Sequence, residues 1–150
     1  MPAAGGEPPI PKVLWGTVSV VARAFDDALA TVGGSRAMWF IFLSLKARPV
    51  ANQRELAAEV GIQGATLTHH LTAMEQAGLI NRRRDPANRR VHLVELTPAG
   101  EATFLKLREV ALAFDRKLRE GIPDDDIRHL RQTLARLQAN ATDDPAAPTP

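Results

Sequence analysis

The chain has 150 residues, of which 45% are apolar and 24% charged, as expected for one compact domain or one protomer of a small oligomer. Its formal net charge of +2 gives no overall basic field, so any affinity for nucleic acid must come from the distribution of charge. The absence of cysteine excludes disulfides, thiolate metal sites and a thiol redox switch. No apolar run reaches about 18 residues and the first residues do not resemble a secretory signal, so we expect no membrane partner and a cytoplasmic location.

Proline and glycine are frequent at both ends of the chain. Residues 1–11 contain four prolines and two glycines, and residues 141–150 are similar in composition. Such segments bury too little apolar surface to offset the entropy of ordering, so we expect a disordered N-terminal arm and a disordered tail. The folded protomer is therefore expected to span residues 12–140.

Two helices are predicted in the first third of the chain. Apolar residues recur at spacings of three and four between Pro11 and Val32, which indicates a helix with one apolar stripe. A Gly-Gly pair ends it, and Ser35 is suited to cap the next element. Residues 36–46 are apolar almost all round. Periodicity alone does not separate helix from strand there, and we favour a buried helix because of the capping signal.

A short helix, a glycine turn and a longer helix follow. Asn52 and Glu55 form a capping-box pattern that opens a helix over Gln53–Val60. Gly61 then turns the chain. The longer helix runs from about Gln63 to Ala77, where a glycine stops it. This order predicts a helix-turn-helix unit.

A hairpin and two more helices complete the chain. The strand candidates Leu79–Arg84 and Val91–Leu96 flank a Pro/Asn turn. Thr97-Pro98 caps and opens a helix that continues to Gly121. The last helix begins at Pro123 and has three aspartates in its first turn, where acids suit the helix dipole. Both helices carry apolar residues at spacings of three and four.

The second helix of the helix-turn-helix has a face suited to the major groove. Stepping about 100° per residue places Leu67, Leu71 and Met74 on one side, and the opposite side is small, polar and free of acid at its start. Such a surface approaches base edges without repelling phosphates. The alternative is an ordinary solvent-exposed helical hairpin. His69 and the adjacent His70 point about 100° apart and are not expected to share a metal ion.

Five of the nine residues from Arg82 to Arg90 are arginine. A charge run of this kind is often only a solvated face. Here it surrounds a tight turn directly after the proposed reading helix, where guanidinium groups can reach the DNA backbone or a narrow minor groove. The pattern therefore favours a DNA-binding wing.

The segment from Asn52 to Gly100 resembles the winged helix-turn-helix of the MarR transcription regulators. That family's pattern is a leucine-alanine helix, a recognition helix ending in Leu-Glu-x-x-Gly-Leu, an Arg/Asp wing and Leu-Thr-x-x-Gly. Residues 74–79 read Met-Glu-Gln-Ala-Gly-Leu, and residues 96–100 read Leu-Thr-Pro-Ala-Gly. The chain departs from the pattern twice. Asn88 replaces a wing acid that often steadies the arginine two residues on, and His69 replaces a common recognition-helix arginine.

The resemblance implies a sequence-specific transcriptional regulator that binds double-stranded DNA as a homodimer on a pseudo-palindromic operator. The expected fold is mainly α with a small β-hairpin wing: a winged helix-turn-helix over about 36–96, with dimerisation helices over about 12–32 and 98–140. A two-fold dimer places its reading helices roughly 34 Å apart. The same apolar stripes also fit the core of a monomeric bundle. The residues expected at the DNA are Gly64, Ala65, Thr66, Thr68, His69, Thr72, Arg82, Arg84, Arg89 and Arg90.

Members of this family are commonly repressors relieved by small aromatic or phenolic ligands, and the resemblance implies such an effector here. A pocket could be lined by Trp15, Met38, Trp39 and Phe42, although these residues also suit a plain core. A DNA-binding architectural or constitutive regulator without an effector is the alternative. We expect no enzyme, cofactor or metal site, because the sequence has no phosphate loop, nucleophile motif or zinc motif.

Overall fold

A computed structural model describes residues 6–142 of the chain. Within them lie six helices and a three-stranded antiparallel sheet, which confirms the predicted mainly α fold with a β-hairpin. The chain divides into two compact units, residues 1–112 and 113–150. The elements are α1 (Ile10–Ala30), α2 (Arg36–Ala47), β1 (Val50–Asn52), α3 (Gln53–Val60), α4 (Gly64–Gln76), β2 (Ile80–Arg84), β3 (His92–Leu96), α5 (Pro98–Leu118) and α6 (Asp124–Thr142).

Side-chain caps begin the central helices where the sequence predicts them. The Ser35 hydroxyl accepts a hydrogen bond from the Met38 backbone N–H, so residues 36–46 are helical, as predicted. The Asn52 side chain caps α3 by accepting from the Arg54 N–H. Only half of the predicted capping box is present, because the Glu55 carboxylate accepts instead from the Arg48 guanidinium at 2.8 Å.

The sheet has the order β1-β3-β2, with both pairs antiparallel. Ile80 pairs with Leu96 and Arg84 with His92, so the hairpin lies where the sequence predicts it, with each strand beginning one residue later. The edge strand β1 is absent from the sequence prediction. Its three residues are too few to show any alternation, and it forms because Ala51 is buried opposite Val94.

One apolar core joins the helices and sheet of the first unit. Phe42 and Ile41 of α2, Leu67 and Leu71 of α4 and Val94 of β3 are fully buried within it. Residues from α1, α3 and α5 complete the core, which holds α4 against the rest of the unit. The remaining buried members are Leu29, Leu45, Ala51, Leu56, Met74, Ile80, Phe104 and Leu107.

Two glycines shape the connections on either side of the hairpin. Gly78 adopts a positive φ of 74°, which ends α4 and lets the Leu79 N–H bond to the Met74 carbonyl. Gly100 is buried against the Leu79 carbonyl, where an added Cβ would overlap the oxygen. The Thr97 hydroxyl donates to the Gly78 carbonyl and accepts from the Gly100 N–H. The Leu-Thr-x-x-Gly segment thus locks α5 onto the end of α4.

The ends of the described chain differ from the sequence expectation. α1 begins at Ile10, so residues 10–11 are helical rather than part of a disordered arm. Proline suits this start because the first helical N–H groups lack intrahelical partners. α6 continues to Thr142, which makes residues 141–142 helical as well. Residues 6–9 of the predicted arm are described, exposed and outside any helix or strand, and residues 1–5 and 143–150 of the predicted disorder lie outside the described residues. Among residues 6–142, no helix combines the length and the apolar character required to span a bilayer.

Candidate nucleic-acid interface

The helix α4 presents two contrasting faces, as its sequence predicts. Leu67 and Leu71 are 0% exposed and Met74 is 3% exposed, so this side faces the core. The opposite side reaches solvent and has no acidic residue in its first turn. Five of the residues expected at DNA lie there as exposed groups: Gly64, Ala65, Thr66, Thr68 and His69. The geometry leaves this surface free to approach a flat or grooved partner.

Thr68 connects α4 to the start of α3. Its hydroxyl donates to the Gly64 carbonyl and accepts from the Gln53 side-chain amide, both at 2.9 Å. Gln53 therefore stands beside the reading face, a position that the sequence analysis missed. Its place at the first position of a predicted helix was the available signal, since helix N-termini often meet phosphates.

Arg82 is held against α4 rather than extended into solvent. Its guanidinium contacts both oxygens of Glu75, with Nε 3.3 Å from Oε2 and Nη2 3.2 Å from Oε1. Nη2 also donates to the Thr72 hydroxyl at 3.2 Å. The Arg82 side chain is only 20% exposed. Hydrogen bonding from Arg82 lowers the pKa of the Glu75 carboxyl, which favours its charged form.

The remaining wing arginines differ in their partners. Arg83 lies 3.6 Å from the Glu95 carboxylate of β3. Arg84 donates to the backbone carbonyl of Arg89, a neutral group that leaves its charge uncompensated. Within residues 6–142, the guanidinium groups of Arg89 and Arg90 make no hydrogen bond or ion pair, and both residues are exposed. The uncompensated charge of the wing is therefore concentrated near its turn.

The wing turn explains how Asn88 serves in place of an acid. The Asn88 side-chain oxygen accepts from the Arg90 backbone N–H at 3.2 Å, and the Asp85 carboxylate accepts from the Ala87 N–H at 2.9 Å. Asn88 thus orders the backbone of the turn without contacting the Arg90 guanidinium. The arginine two residues on keeps its side chain free, as the departure from the family pattern suggests.

A groove of about 670 Å³ brings the two predicted DNA-binding elements together. Gly64 and Thr68 of α4 line it from one side, and Arg90 lines it from the wing. Arg54 and His92 also line this groove, and neither residue was predicted from the sequence to lie at DNA. Arg54 lies in the first turn of α3 and is exposed, so it adds another cation at this surface.

A second cavity, of about 380 Å³, lies behind the reading helix. Phe40, Val60 and Ile62 give it an apolar wall, and Arg36 and Asp26 also line it, with the Arg36 Nε 2.8 Å from the Asp26 carboxylate. The remaining lining residues include His70 of α4, which is half-buried.

The residues suggested by the sequence for a ligand pocket lie elsewhere. Phe42 is completely buried, while Met38 and Trp39 pack against the core. The Trp39 ring stacks on Phe104 with centroids 5.5 Å apart. Trp15 is 73% exposed on α1. Three of the four are therefore core residues, the alternative that the sequence left open.

Comparison with known proteins identifies the family. Residues 35–92 match the model of the MarR family. The fold is similar to that of a transcriptional repressor, CouR, bound to a 23-mer DNA duplex, with a TM-score of 0.81 and 30% identity. That similarity covers 87% of this chain and 92% of CouR. The chain belongs to the MarR family.

Other helix-turn-helix regulators are similar to this MarR-family chain. YdgJ of Bacillus subtilis is 30% identical over 89 residues, which cover 59% of this chain and 54% of YdgJ, little more than half of that relative. BilQ of Clostridium symbiosum is 28% identical over 105 residues, covering 70% of this chain and 73% of BilQ. A mutant MarR from E. coli complexed with operator DNA shares the fold, with a TM-score of 0.79 at 18% identity over 86% of this chain and 93% of that one.

MarR-family membership makes this chain a DNA-binding transcriptional regulator with a winged helix-turn-helix. The family and the similar proteins are regulators rather than enzymes. In this fold α3 and α4 form the helix-turn-helix, and β2 and β3 form the wing.

Proposed function

We propose that the chain is a sequence-specific repressor that binds a pseudo-palindromic operator as a homodimer and releases it when a small ligand binds. The groove lined by both α4 and Arg90 carries this proposal, because it lets one duplex meet the reading helix and the wing together. A repressor of chromosomal operators works where the chromosome lies, so we propose a cytoplasmic location.

The proposed DNA contacts divide into reading and gripping residues. The exposed face of α4 contributes Ala65, Thr66, Thr68 and His69 to base edges in the major groove, and the backbone at Gly64 lies at the helix N-terminus, where phosphates bind well. The wing contributes guanidinium groups whose charge no carboxylate of residues 6–142 compensates. Each phosphate that they neutralise releases counterions, which strengthens binding to any sequence. The gripping residues are Arg84, Arg89 and Arg90.

Homodimer formation is supported by apolar surface that the single chain leaves exposed. α6 is a 19-residue helix in which no residue is buried. Two of its leucines, Leu130 and Leu134, are 51% and 36% exposed. On α1, Val18 and Trp15 are 60% and 73% exposed. Monomers rarely expose apolar helix faces of this length, and a two-fold partner would cover them. Such a dimer reads two half-sites about one DNA turn apart.

The cavity behind α4 supports a small aromatic or phenolic effector. Its apolar wall suits an aromatic ring. The Arg36 guanidinium could pair with a ligand carboxylate or phenolate in place of its present partner, the Asp26 carboxylate. His70 extends from the reading helix to this cavity. A ligand there can bias the position of α4, and loss of operator binding is the expected consequence.

The deciding experiment is selection of bound duplexes from a random pool, followed by titration of the selected DNA with phenolic and aromatic acids. We expect a pseudo-palindromic consensus and ligand-dependent release. Ala37→Leu fills the cavity and should bind DNA normally but release it poorly. Ala47→Leu, on the exposed end of the same helix, is the matched control. Binding that no ligand weakens would favour a constitutive or architectural regulator.

A further inference from the structure

The contacts of Arg82 tie the wing to the reading helix at three points. Its backbone N–H donates to Glu75 Oε2 at 2.9 Å, and its guanidinium contacts both Glu75 oxygens. Nη2 reaches one helical turn further along α4 to the Thr72 hydroxyl. These side-chain contacts use two nitrogens of one planar group, Nε and Nη2, whereas a lysine offers all its donors from a single nitrogen and lacks this fixed geometry.

The positive charge of Arg82 is compensated by a carboxylate of the same chain. Glu75 neutralises it, and the side chain is 20% exposed, in contrast to the free and exposed Arg90. A cation that already has a carboxylate partner releases few counterions when DNA arrives. Arg82 therefore differs in kind from the other arginines that the sequence assigns to DNA.

The same contact sets the hydrogen-bonding direction of Thr72. Because Arg82 Nη2 donates to the hydroxyl oxygen, the hydroxyl hydrogen turns away from the guanidinium and can donate outward. Thr68 has the opposite arrangement, since its hydrogen is used on the Gly64 carbonyl. Two of the three threonines of α4 would thus present different patterns to base edges, Thr72 as a donor and Thr68 as an acceptor.

We propose that Arg82 is a positioning residue of the DNA interface: with Glu75 it fixes the wing strand on α4, and it makes Thr72 a donor that recognises an acceptor atom on the edge of a purine or thymine base. This proposal rests on the proposed DNA-binding face of α4. It places no phosphate on the Arg82 guanidinium.

Arg82→Lys tests the proposal because it keeps the charge and removes the fork. A phosphate ligand tolerates lysine, whereas a fork that fixes two elements does not. We expect Arg82→Lys to lose about tenfold or more in operator affinity while the slope of log K against log salt stays at the wild-type value. Arg83→Lys, the matched control, changes the neighbouring wing arginine, whose contact with the Glu95 carboxylate a lysine can keep, and it should retain most of the operator affinity. Near-wild-type operator binding by Arg82→Lys would overturn the proposal.

Glu75→Gln gives an independent test, because operator affinity should change in opposite directions if Arg82 positions the wing and if Arg82 binds phosphate. If Arg82 positions the wing, the affinity for the operator falls, and the ratio of operator affinity to random-DNA affinity falls with it. If Arg82 is a phosphate ligand, freeing its charge raises operator affinity and steepens the salt slope, which contradicts the proposal. Circular dichroism and thermal unfolding verify that each variant is folded. If Arg82→Lys does not fold, the binding of Glu75→Gln decides between the two roles of Arg82.

The role of Thr72 has its own readout. Thr72→Val should change base preference at one operator position, and Arg82→Lys should weaken preference at that same position. Unrelated changes in the two variants would contradict the link between them. Failure of the proposed function looks different, because then neither the wild-type protein nor Arg83→Lys selects any duplex from the pool.

Discussion

The five arginines of the wing are alike in sequence and differ in what their guanidinium groups contact. Arg82 and Arg83 face the carboxylates of Glu75 and Glu95, while Arg84 meets only a carbonyl. Exposed ion pairs contribute little to stability, but a carboxylate partner reduces the net charge offered to DNA. The capacity of each arginine to bind phosphate therefore depends on its neighbours more than on its identity.

Removal of either free wing arginine should weaken DNA binding without changing sequence preference. We expect Arg89→Ala and Arg90→Ala each to lower the magnitude of the salt slope by about one unit, because each removes one phosphate contact. Fluorescence anisotropy at several salt concentrations measures the slope. Arg83→Ala, which removes an arginine paired with Glu95, should change it less. A slope unchanged in both Arg89→Ala and Arg90→Ala would exclude the gripping role.

Residues on the exposed face of α4 should affect specific binding more than general binding. Thr68→Ala and His69→Ala are each expected to cost roughly 1–3 kcal/mol on the selected operator and less on random DNA. Competition binding with both DNAs gives the two values. Gln76→Ala, at the exposed end of the same helix, serves as control. Equal losses on both DNAs would mean that Thr68 and His69 do not read bases.

At the scale of elements, α4 is held from several directions. Its apolar side packs into the core, Thr68 bonds to α3, and the Arg82–Glu75 contact joins it to β2. Gly78 and Gly100 then allow the chain to leave α4 and return to α5 at close range. These contacts join α4 and the wing in one surface, and such a surface suits the fixed spacing of grooves and backbone in DNA that the proposed function requires.

The ion pair between α4 and β2 should make stability depend on acid pH. Arg82 lowers the pKa of the Glu75 carboxyl below its ordinary 4.5 in the folded protein. The contribution of this pair is therefore fully present above about pH 4.5 and is lost as pH falls through the lowered value. Denaturant unfolding of wild type and Glu75→Gln should show a difference that shrinks with acidification. A difference that is constant from neutral pH to pH 3 would contradict the assignment.

Gly100→Ala should destabilise the junction of α5 with the hairpin. The new methyl group would overlap the Leu79 carbonyl oxygen, a backbone atom that cannot rotate away. We expect a loss of about 1–3 kcal/mol in the free energy of unfolding, typical of overpacking. Ala102→Ser, at an exposed site on the same helix, should cost only about 0.5 kcal/mol. Similar unfolding curves for Gly100→Ala and wild type would show that the backbone relaxes there.

At the scale of the whole molecule, exposed apolar side chains on α1 and α6 support the proposed homodimer. Leu130 and Leu134 are four residues apart on one face of α6, and both are exposed. Burial of apolar area is the main driving force for association. A homodimer is therefore the assembly that we expect.

Replacement of Leu130 or Leu134 by glutamate should shift the protein from dimer to monomer and abolish binding to a full operator. A charge placed in an apolar interface is costly unless it is paired. Sedimentation velocity over a range of concentrations measures the oligomeric state. Gln132→Glu, an exposed substitution on the same helix, should leave the dimer intact. A wild-type protein that sediments as a monomer at all concentrations would contradict the prediction.

Local signals account for most of the correct sequence predictions. Apolar periodicity and the caps at Ser35, Asn52 and Thr97 placed the helices and the hairpin within a few residues, because these interactions involve neighbours in the chain. The strand β1 was not predicted, because three residues are too few to show an alternating pattern and the strand forms only by pairing with β3. For Trp39 and Phe42 the sequence left both a ligand pocket and a plain core open, since composition does not distinguish the two environments.

The sequence by itself determined the fold class, the inward face of α4 and the position of the basic wing, because each follows from spacing along the chain. Only the tertiary structure decided that Arg82 pairs with Glu75 while Arg90 remains free, and that Gln53 and Arg54 border the same groove as Thr68. These relations join residues on different elements. Charge compensation depends on distances in space, and the order of residues does not encode those distances directly.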